Sequence, residues 1–376
     1  MLLECNNPRL IVLDLDQLVD WGFSDIERLI RSCPNTTVMS ISTAQQSGNS
    51  YVRPLGRTID LAMTEIMLSR EFRPWETVFI TGRSKDAALV GSLGVSTILW
   101  GDAPDLEHNQ LPDFLATSHG ALNEFLSGAH FGYFGELLAH GRVGKGLFHI
   151  YDQSHMLQPS VSAQVIVGGR YFPTDDRRHG MHPLSQKILR SKSGKHHDVL
   201  ADLINHSLHA LKRMQRVDFV TAVPGQDDSN RVGSILELAS SRHPDLYTGI
   251  GVKSKILTLA HPYKSQKKSG GWNKRAVNVS GAFRISDHVT GNWVLIDDII
   301  TSGATVMECV KVLRDSGADK VVVVEFGASQ DIKPRSETSI GCSVCGASMQ
   351  LRFNGKDGTT LTYEVGRQQL NRRNIL

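Results

Sequence analysis

The sequence predicts an α/β protein made of two parallel-sheet domains, and three observations lead there. Short apolar runs alternate with helical patterns over about the first hundred residues, and the alternation resumes near residue 161. At 376 residues and 41.4 kDa the chain is too long for one ordinary core. Hydrophobic residues at 40% and charged ones at 21% describe a globular chain, neither disordered nor fibrous.

The elements follow in order. RLIVLDLD, TTVMSIST, ETVFITG and VSTILWGD read as strands, and DIERLIRS, GRTIDLAMTEIMLS and DAALVGSLG between them read as helices. Alternation at this pitch implies a parallel sheet covered on both faces, a first domain over residues 1–105. Residues 106–160 are irregular, rich in Gly, His, Asn and Phe, with one helical segment near Leu122 to Leu138, and read as a connector or accessory layer. A second domain over residues 161–335 opens with the strand VSAQVIVGGRYF. In the helix Val199 to Met214 that follows, Leu200, Leu203, Ile204, Leu208 and Leu211 share one face. Next come the strand VDFVTAVP, the helix RVGSILELASS, a basic loop from Lys264 to Arg275, the strand NWVLID and the helix TVMECVKVLRDS. That helix stops at Gly317, a residue suited to a left-handed cap. KVVVVEFG completes the sheet, and residues 336–376 form a tail.

No stretch is long enough to cross a bilayer, and MLLECNNPRL lacks the basic start and long apolar core of a secretory signal, so a cytoplasmic location is expected. The five cysteines are odd in number and scattered, which favours reduced thiols over a disulfide framework. A formal charge of +3 with pI about 8.5 makes no case for nucleic-acid binding by itself, so local basic clusters matter more. The histidine pairs His196–His197 and His206–His209 read as surface or packed residues.

The most informative stretch is VLIDDIITSGAT, Val294 to Thr305. A strand ends in two adjacent carboxylates, a loop of small hydroxylated residues and glycine follows, and a helix begins at Val306. Glycine lets backbone N–H groups approach an anion, and the helix N-terminus adds partial positive charge. Thr301, Ser302 and Thr305 supply hydroxyl donors for the same anion. The acids would repel a phosphate, so they suit hydroxyl groups or a metal ion bound to them. A sugar phosphate offers both partners.

The stretch resembles the signature with which type I phosphoribosyltransferases bind 5-phosphoribosyl 1-diphosphate (PRPP). The resemblance implies that Asp297 and Asp298 hold the ribose hydroxyls while Thr301, Ser302, Gly303, Ala304 and Thr305 hold the 5-phosphate. QKKSGGWNKRAVNVSGAFRI is similar to the flexible-loop region of ComF-like phosphoribosyltransferases through Gln266, Gly271, Arg275, Asn278, Val279, Gly281, Ala282 and Phe283. VDFVTAVPGQDDSNRVG stands where that family has its pyrophosphate loop, which puts Pro224 and Gly225 at the diphosphate, with Asp227, Asp228 and Arg231 bordering it. Lys267 and Lys268 then add mobile positive charge to PRPP binding, and Arg275 counts with Asp297 and Asp298 among the catalytic candidates.

LIVLDLDQLV sets Asp14 and Asp16 two apart at a strand end, so both project toward one site. It resembles the first motif of the haloacid-dehalogenase (HAD) phosphatases. That resemblance implies a nucleophile in Asp14, a general acid and base in Asp16, phosphate-binding groups in Ser42 and Arg53, and Mg²⁺ held by Asp14, Asp16 and Asp86. One departure opposes the metal: Gly82 and Arg83 stand where the family's fourth motif has a Gly-Asp pair. GCSVCGASMQLRFNG resembles the first knuckle of a zinc ribbon, with Cys342 and Cys345 as Zn²⁺ ligands and no Cys or His after them.

Taken together, the resemblances imply two Rossmann-like domains, HAD-like and then phosphoribosyltransferase-like, with a short zinc-ribbon-like tail. The implied activity is Mg²⁺-dependent transfer of phosphoribose from PRPP to an acceptor the sequence does not identify, coupled to phosphate-monoester hydrolysis by the first domain. The alternative is a non-catalytic PRPP or nucleotide sensor in a bacterial stress or phage-defence module. Expected partners are PRPP, the acceptor, a protein, or a nucleic acid at the basic loop and the tail, and further copies of the chain, with no membrane.

Overall fold

The computed structural model describes residues 8–44, 49–54, 56–101, 106–127, 131–142, 145–225, 230–263, 272–330, 351–354 and 360–363. The first sheet is built from β1 (Leu10–Asp14), α1 (Phe23–Ser32), β2 (Thr37–Ser42), β3 (Ser50–Val52), α2 (Ile59–Ser69), β4 (Thr77–Thr81), α3 (Ser84–Gly91), β5 (Ser96–Trp100), β6 (Phe114–Ala116) and α4 (His119–Leu126). Its strands lie in the order β3-β2-β1-β4-β5-β6, every neighbouring pair parallel. Side-chain alternation splits its core. Ile11, Leu13, Val78 and Ile80 pack with α1 and α4, whereas Leu10, Val12, Met39 and Phe79 pack with α2 and α3. The chain thus leaves β1 for β2 over one face and β4 for β5 over the other, which opens a crevice between the carboxyl ends of β1 and β4.

The second sheet repeats the principle. After β7 (Phe131–Tyr133), α5 (Phe134–His140) and β8 (Lys145–Leu147) come β9 (His149–His155), β10 (Gln158–Val167), β11 (Arg170–Tyr171), α6 (Pro183–Ser191), α7 (His197–Met214), β12 (Phe219–Ala222), α8 (Arg231–Arg242) and β13 (Gly251–Val252). An antiparallel ribbon of β14 (Leu257–Leu259) with β15 (Phe283–Ile285) brackets α9 (Trp272–Val279), and β16 (Asn292–Ile300), α10 (Ala304–Asp315) and β17 (Lys320–Ser329) follow. The order is β13-β12-β16-β17-β10-β9, with β11 also on β17 and only β9 running antiparallel. Trp293, Leu295, Val321 and Val323 face α9 and α10, while Val294, Ile296, Val322 and Val324 face α5 to α8. With α8 and α10 on opposite faces, the switch point lies between the carboxyl ends of β12 and β16. Beyond this sheet, β18 (Leu351–Asn354) and β19 (Thr360–Tyr363) form an antiparallel pair.

Several local readings change. The helical segment near Leu122 to Leu138 is two helices, α4 and α5. The strand through VSAQVIVGGRYF breaks at Gly168 and Gly169, where a Cβ would stand 2.8 Å from Leu203 and 2.8 Å from Leu184 respectively. Lys274 and Arg275, expected in a loop, lie in α9. Of residues 106–160, β6 joins the first sheet and β9 the second.

One buried network ties the two sheets together. Arg170, 3% exposed, donates through Nε and Nη2 to both Glu136 oxygens at 2.9 and 2.7 Å, and through Nη1 to Asp113 at 2.5 Å. Asp113 in turn accepts from the Thr97 amide of β5 at 2.8 Å.

Candidate functional site

The β12–β16 crevice gathers most of the residues singled out in the second domain. β12 runs on into Pro224 and Gly225, both half-buried, and the carboxyl end of β16 carries Asp297 and Asp298. Gly303, at φ +73°, caps the 12-residue α10 in a left-handed conformation that glycine adopts without strain. Thr301 is exposed, Thr305 half-buried, and Ser302 and Ala304 buried. The first amides of α10, which no helical carbonyl can satisfy, lie beside this loop, and the Ala304 amide donates to Ser302 Oγ at 3.5 Å.

The paired acids meet different neighbours. Asp297 stands in register with Glu325 of β17 and near Cys309 of α10. Asp298 pairs with Arg231, the first residue of α8, whose guanidinium also donates to Ser191 Oγ. The Asp298 amide donates to Asp297 Oδ1 at 2.8 Å. Burial, with the Asp298 charge second, pushes Asp297 up to about 8. Glu325 is fully buried, neither of its oxygens has a hydrogen-bond partner among the described residues, and burial followed by Asp297 and Asp298 pushes it well above the carboxylate range. The first acid, half-buried beside the fully buried Glu325, therefore favours a proton, and the second is paired with Arg231 at the crevice.

Sequence reasoning missed Glu325, although a lone acid inside KVVVVEFG is a visible signal. A second device links the basic segment to α10. Glu308 Oε1 accepts from the Gly281 amide at 2.8 Å, and Glu308 Oε2 lies 2.8 Å from His155 Nε2. His155 Nδ1 accepts from the Gln158 amide at 3.1 Å, so the proton sits on Nε2 and is donated to Glu308. Arg275 is half-buried on α9, whereas Lys267, Lys268, Asp227 and Asp228 lie outside the described residues.

At the first crevice, Asp14 ends β1 and Thr81 ends β4, and the Thr81 hydroxyl donates to Asp14 Oδ2 at 3.0 Å. Asp14 Oδ1 is buried with no hydrogen-bond partner among the described residues, and burial pushes this carboxyl up to about 6. Burial also pushes on Asp16, but bonds from Ser42 Oγ at 2.7 Å and the Thr43 amide at 2.9 Å, with Arg53 at 3.5 Å, outweigh it and leave Asp16 below its ordinary value. Asp86 is raised by burial and has Arg83 Nη1 at 3.8 Å. Gly82 is there for closeness, because a Cβ would stand 2.2 Å from the Gln17 carbonyl oxygen.

The structure thus brings Asp14, Asp16, Ser42, Arg53 and Asp86 to one crevice, yet the set does not fit Mg²⁺. Asp16 is committed to Ser42, Thr43 and Arg53, Asp86 faces Arg83, and among the described residues no three His, Cys, Asp or Glu side chains converge to hold an ion. Cys342 and Cys345, the expected Zn²⁺ ligands, lie outside the described residues. Among those residues no helix is long and apolar enough to cross a membrane.

No family model matches the chain, and no curated protein matches it. Among solved structures it is similar to the cobalt-bound deoxy-D-mannose-octulosonate 8-phosphate phosphatase of Haemophilus influenzae, at 14% identity over 32% of this chain and 88% of that one, TM-score 0.25. It is similar to an adenine phosphoribosyltransferase at 12% identity over 48% of this chain and 85% of that one, TM-score 0.25. Leishmania donovani UMP synthase is a third, at 13% identity over 84% of this chain and 64% of that one, TM-score 0.21. Likenesses this loose define neither a family nor an activity.

Proposed function

We propose that the chain binds PRPP in the β12–β16 crevice and transfers its phosphoribosyl group to an acceptor, releasing diphosphate. One observation carries this reading. At a single switch point the strand-end acids Asp297 and Asp298 stand beside a helix N-terminus opened by Gly303, the first suited to a sugar diol and the second to that sugar's phosphate. Pro224, Gly225 and Arg231 lie across the crevice, where a leaving diphosphate would be met. In the transfer, the bond from C1 to the diphosphate oxygen breaks and the acceptor's nucleophile bonds to C1. Positive charge grows on the ribose and negative charge on the diphosphate, and Arg231 is the described cation best placed to balance the latter.

A sensor without turnover is favoured by one feature: Asp298 is already engaged by Arg231, so a ligand diol must exchange that ion pair, a rearrangement a partner could read. For the first crevice, the unpartnered buried oxygen of Asp14 supports phosphate handling, while the bonds that hold Asp16 oppose its use as a proton shuttle. The test is diphosphate release from PRPP in the presence of Mg²⁺ and a metabolite extract, comparing the native chain with an Asp297→Asn, Asp298→Asn double variant. Release lost in the variant supports transfer. Saturable binding without release supports the sensor, and equal release from both proteins excludes this crevice.

A further inference from the structure

We infer that His108, supplied by the segment joining β5 to β6, is a positioning residue for the phosphate-holding loop of the other domain; the inference rests on the reading of the β12–β16 crevice given above. His108 Nε2 lies 2.8 Å from the carbonyl oxygen of Thr301. A carbonyl can only accept, so Nε2 carries the proton and donates it. The peptide joining Thr301 to Ser302 is planar and trans, so its C=O and N–H point in opposite directions. Pinning the carbonyl toward His108 therefore directs the Ser302 amide away from His108. This peptide immediately precedes Gly303, so its orientation sets how the loop's donors meet an anion.

The histidine is itself held firmly. It is 7% exposed, and its ring stacks on Tyr151 with centroids 5.0 Å apart and planes 8° apart; Tyr151 stacks in turn on His149 at 5.2 Å. The main chain around it is clamped by Gln330, just past β17, whose Nε2 donates to the His108 carbonyl at 3.0 Å and whose Oε1 accepts from the Leu111 amide at 2.9 Å. Two residues further on, Asp113 meets Arg170. One short stretch of chain thus fastens the first sheet to the second and aims a donor at Thr301. A residue that only filled space would need neither the bond nor the clamp.

The test uses three full-length proteins: the native chain, His108→Phe, which keeps a ring on Tyr151 but has no donor, and His108→Gln, which restores an N–H donor. Binding of PRPP and of ribose 5-phosphate is measured by calorimetry, alongside thermal stability and hydrogen exchange of the 301–305 amides. We expect His108→Phe to weaken both ligands by about tenfold or more, at unchanged melting temperature, and to speed exchange in the loop. His108→Gln is expected to recover affinity to within about threefold of the native value. Native-like binding by His108→Phe overturns the inference, as does a His108→Gln protein that falls as far as His108→Phe. If the native chain binds neither ligand, the crevice reading fails first, and the role of His108 falls with it.

Discussion

Arg231, the first residue of α8, closes on the Asp298 carboxylate across the crevice between β12 and β16. Replacing it by Met would leave Asp298 beside Asp297 without a counter-charge among the described residues, at a cost of about 1.5–3 kcal/mol in unfolding free energy. If PRPP binds as proposed, with its diphosphate toward Arg231, Arg231→Met should weaken PRPP by about tenfold or more and ribose 5-phosphate by less than about threefold. Calorimetry with the two ligands checks it, and an equal loss for both would place Arg231 elsewhere in recognition.

Gly303 holds φ +73° at the start of α10, and a Cβ there would meet Gln153 at an ordinary 3.4 Å. The expected penalty for Gly303→Ala is therefore conformational, about 1–2 kcal/mol, and not steric. Urea unfolding should show it together with a weaker ribose 5-phosphate complex. An unchanged midpoint would mean that the loop relaxes freely.

Asp297 and Glu136 predict opposite pH responses. Asp297 is raised to about 8 by burial and then by Asp298, with Glu325 and Cys309 on neighbouring elements. A carboxyl that keeps its proton longer in the folded state contributes stability fully present below the unfolded value of about 3.9, and lost as pH rises through the folded one. Native stability should therefore fall between about pH 4 and pH 8 more steeply than that of Asp297→Asn, and level off above that. Glu136 runs the other way: burial raises it, but Arg170 and then His182 outweigh that and hold it well below its ordinary value. Its contribution is present above the unfolded carboxylate value and lost as pH falls, so Arg170→Met should unfold more easily at neutral pH, by about 3–5 kcal/mol. Denaturant titrations across pH read both slopes.

At the first crevice, Gly82→Ala should cost about 1–3 kcal/mol, because its Cβ would force the turn after β4 away from Gln17. Denaturant unfolding measures it. A native-like variant would show that the two strand ends do not need this closeness.

Both sheets were legible because buried parallel strands announce themselves as apolar runs and their covering helices as spaced apolar faces. Val294 to Thr305 stood out as a candidate site because acids, small residues and a helix start are contiguous in sequence. What could not be read depends on side chains brought together from afar. His108 reaches Thr301 across 193 positions, and Arg231 reaches Asp298 across 67. Neither contact leaves a local period. The break at Gly168 and Gly169 was equally hidden, since it answers to Leu203 and Leu184 on later helices.

The central claim is that the turn from Asp297 to Thr305 holds a phosphorylated ribose, and a crystal grown with ribose 5-phosphate tests it most directly. The account predicts the phosphate against the Ser302, Gly303 and Ala304 amides, with the sugar hydroxyls toward Asp298. Ligand density at another surface, with this turn unchanged and Asp298 still on Arg231, would contradict it.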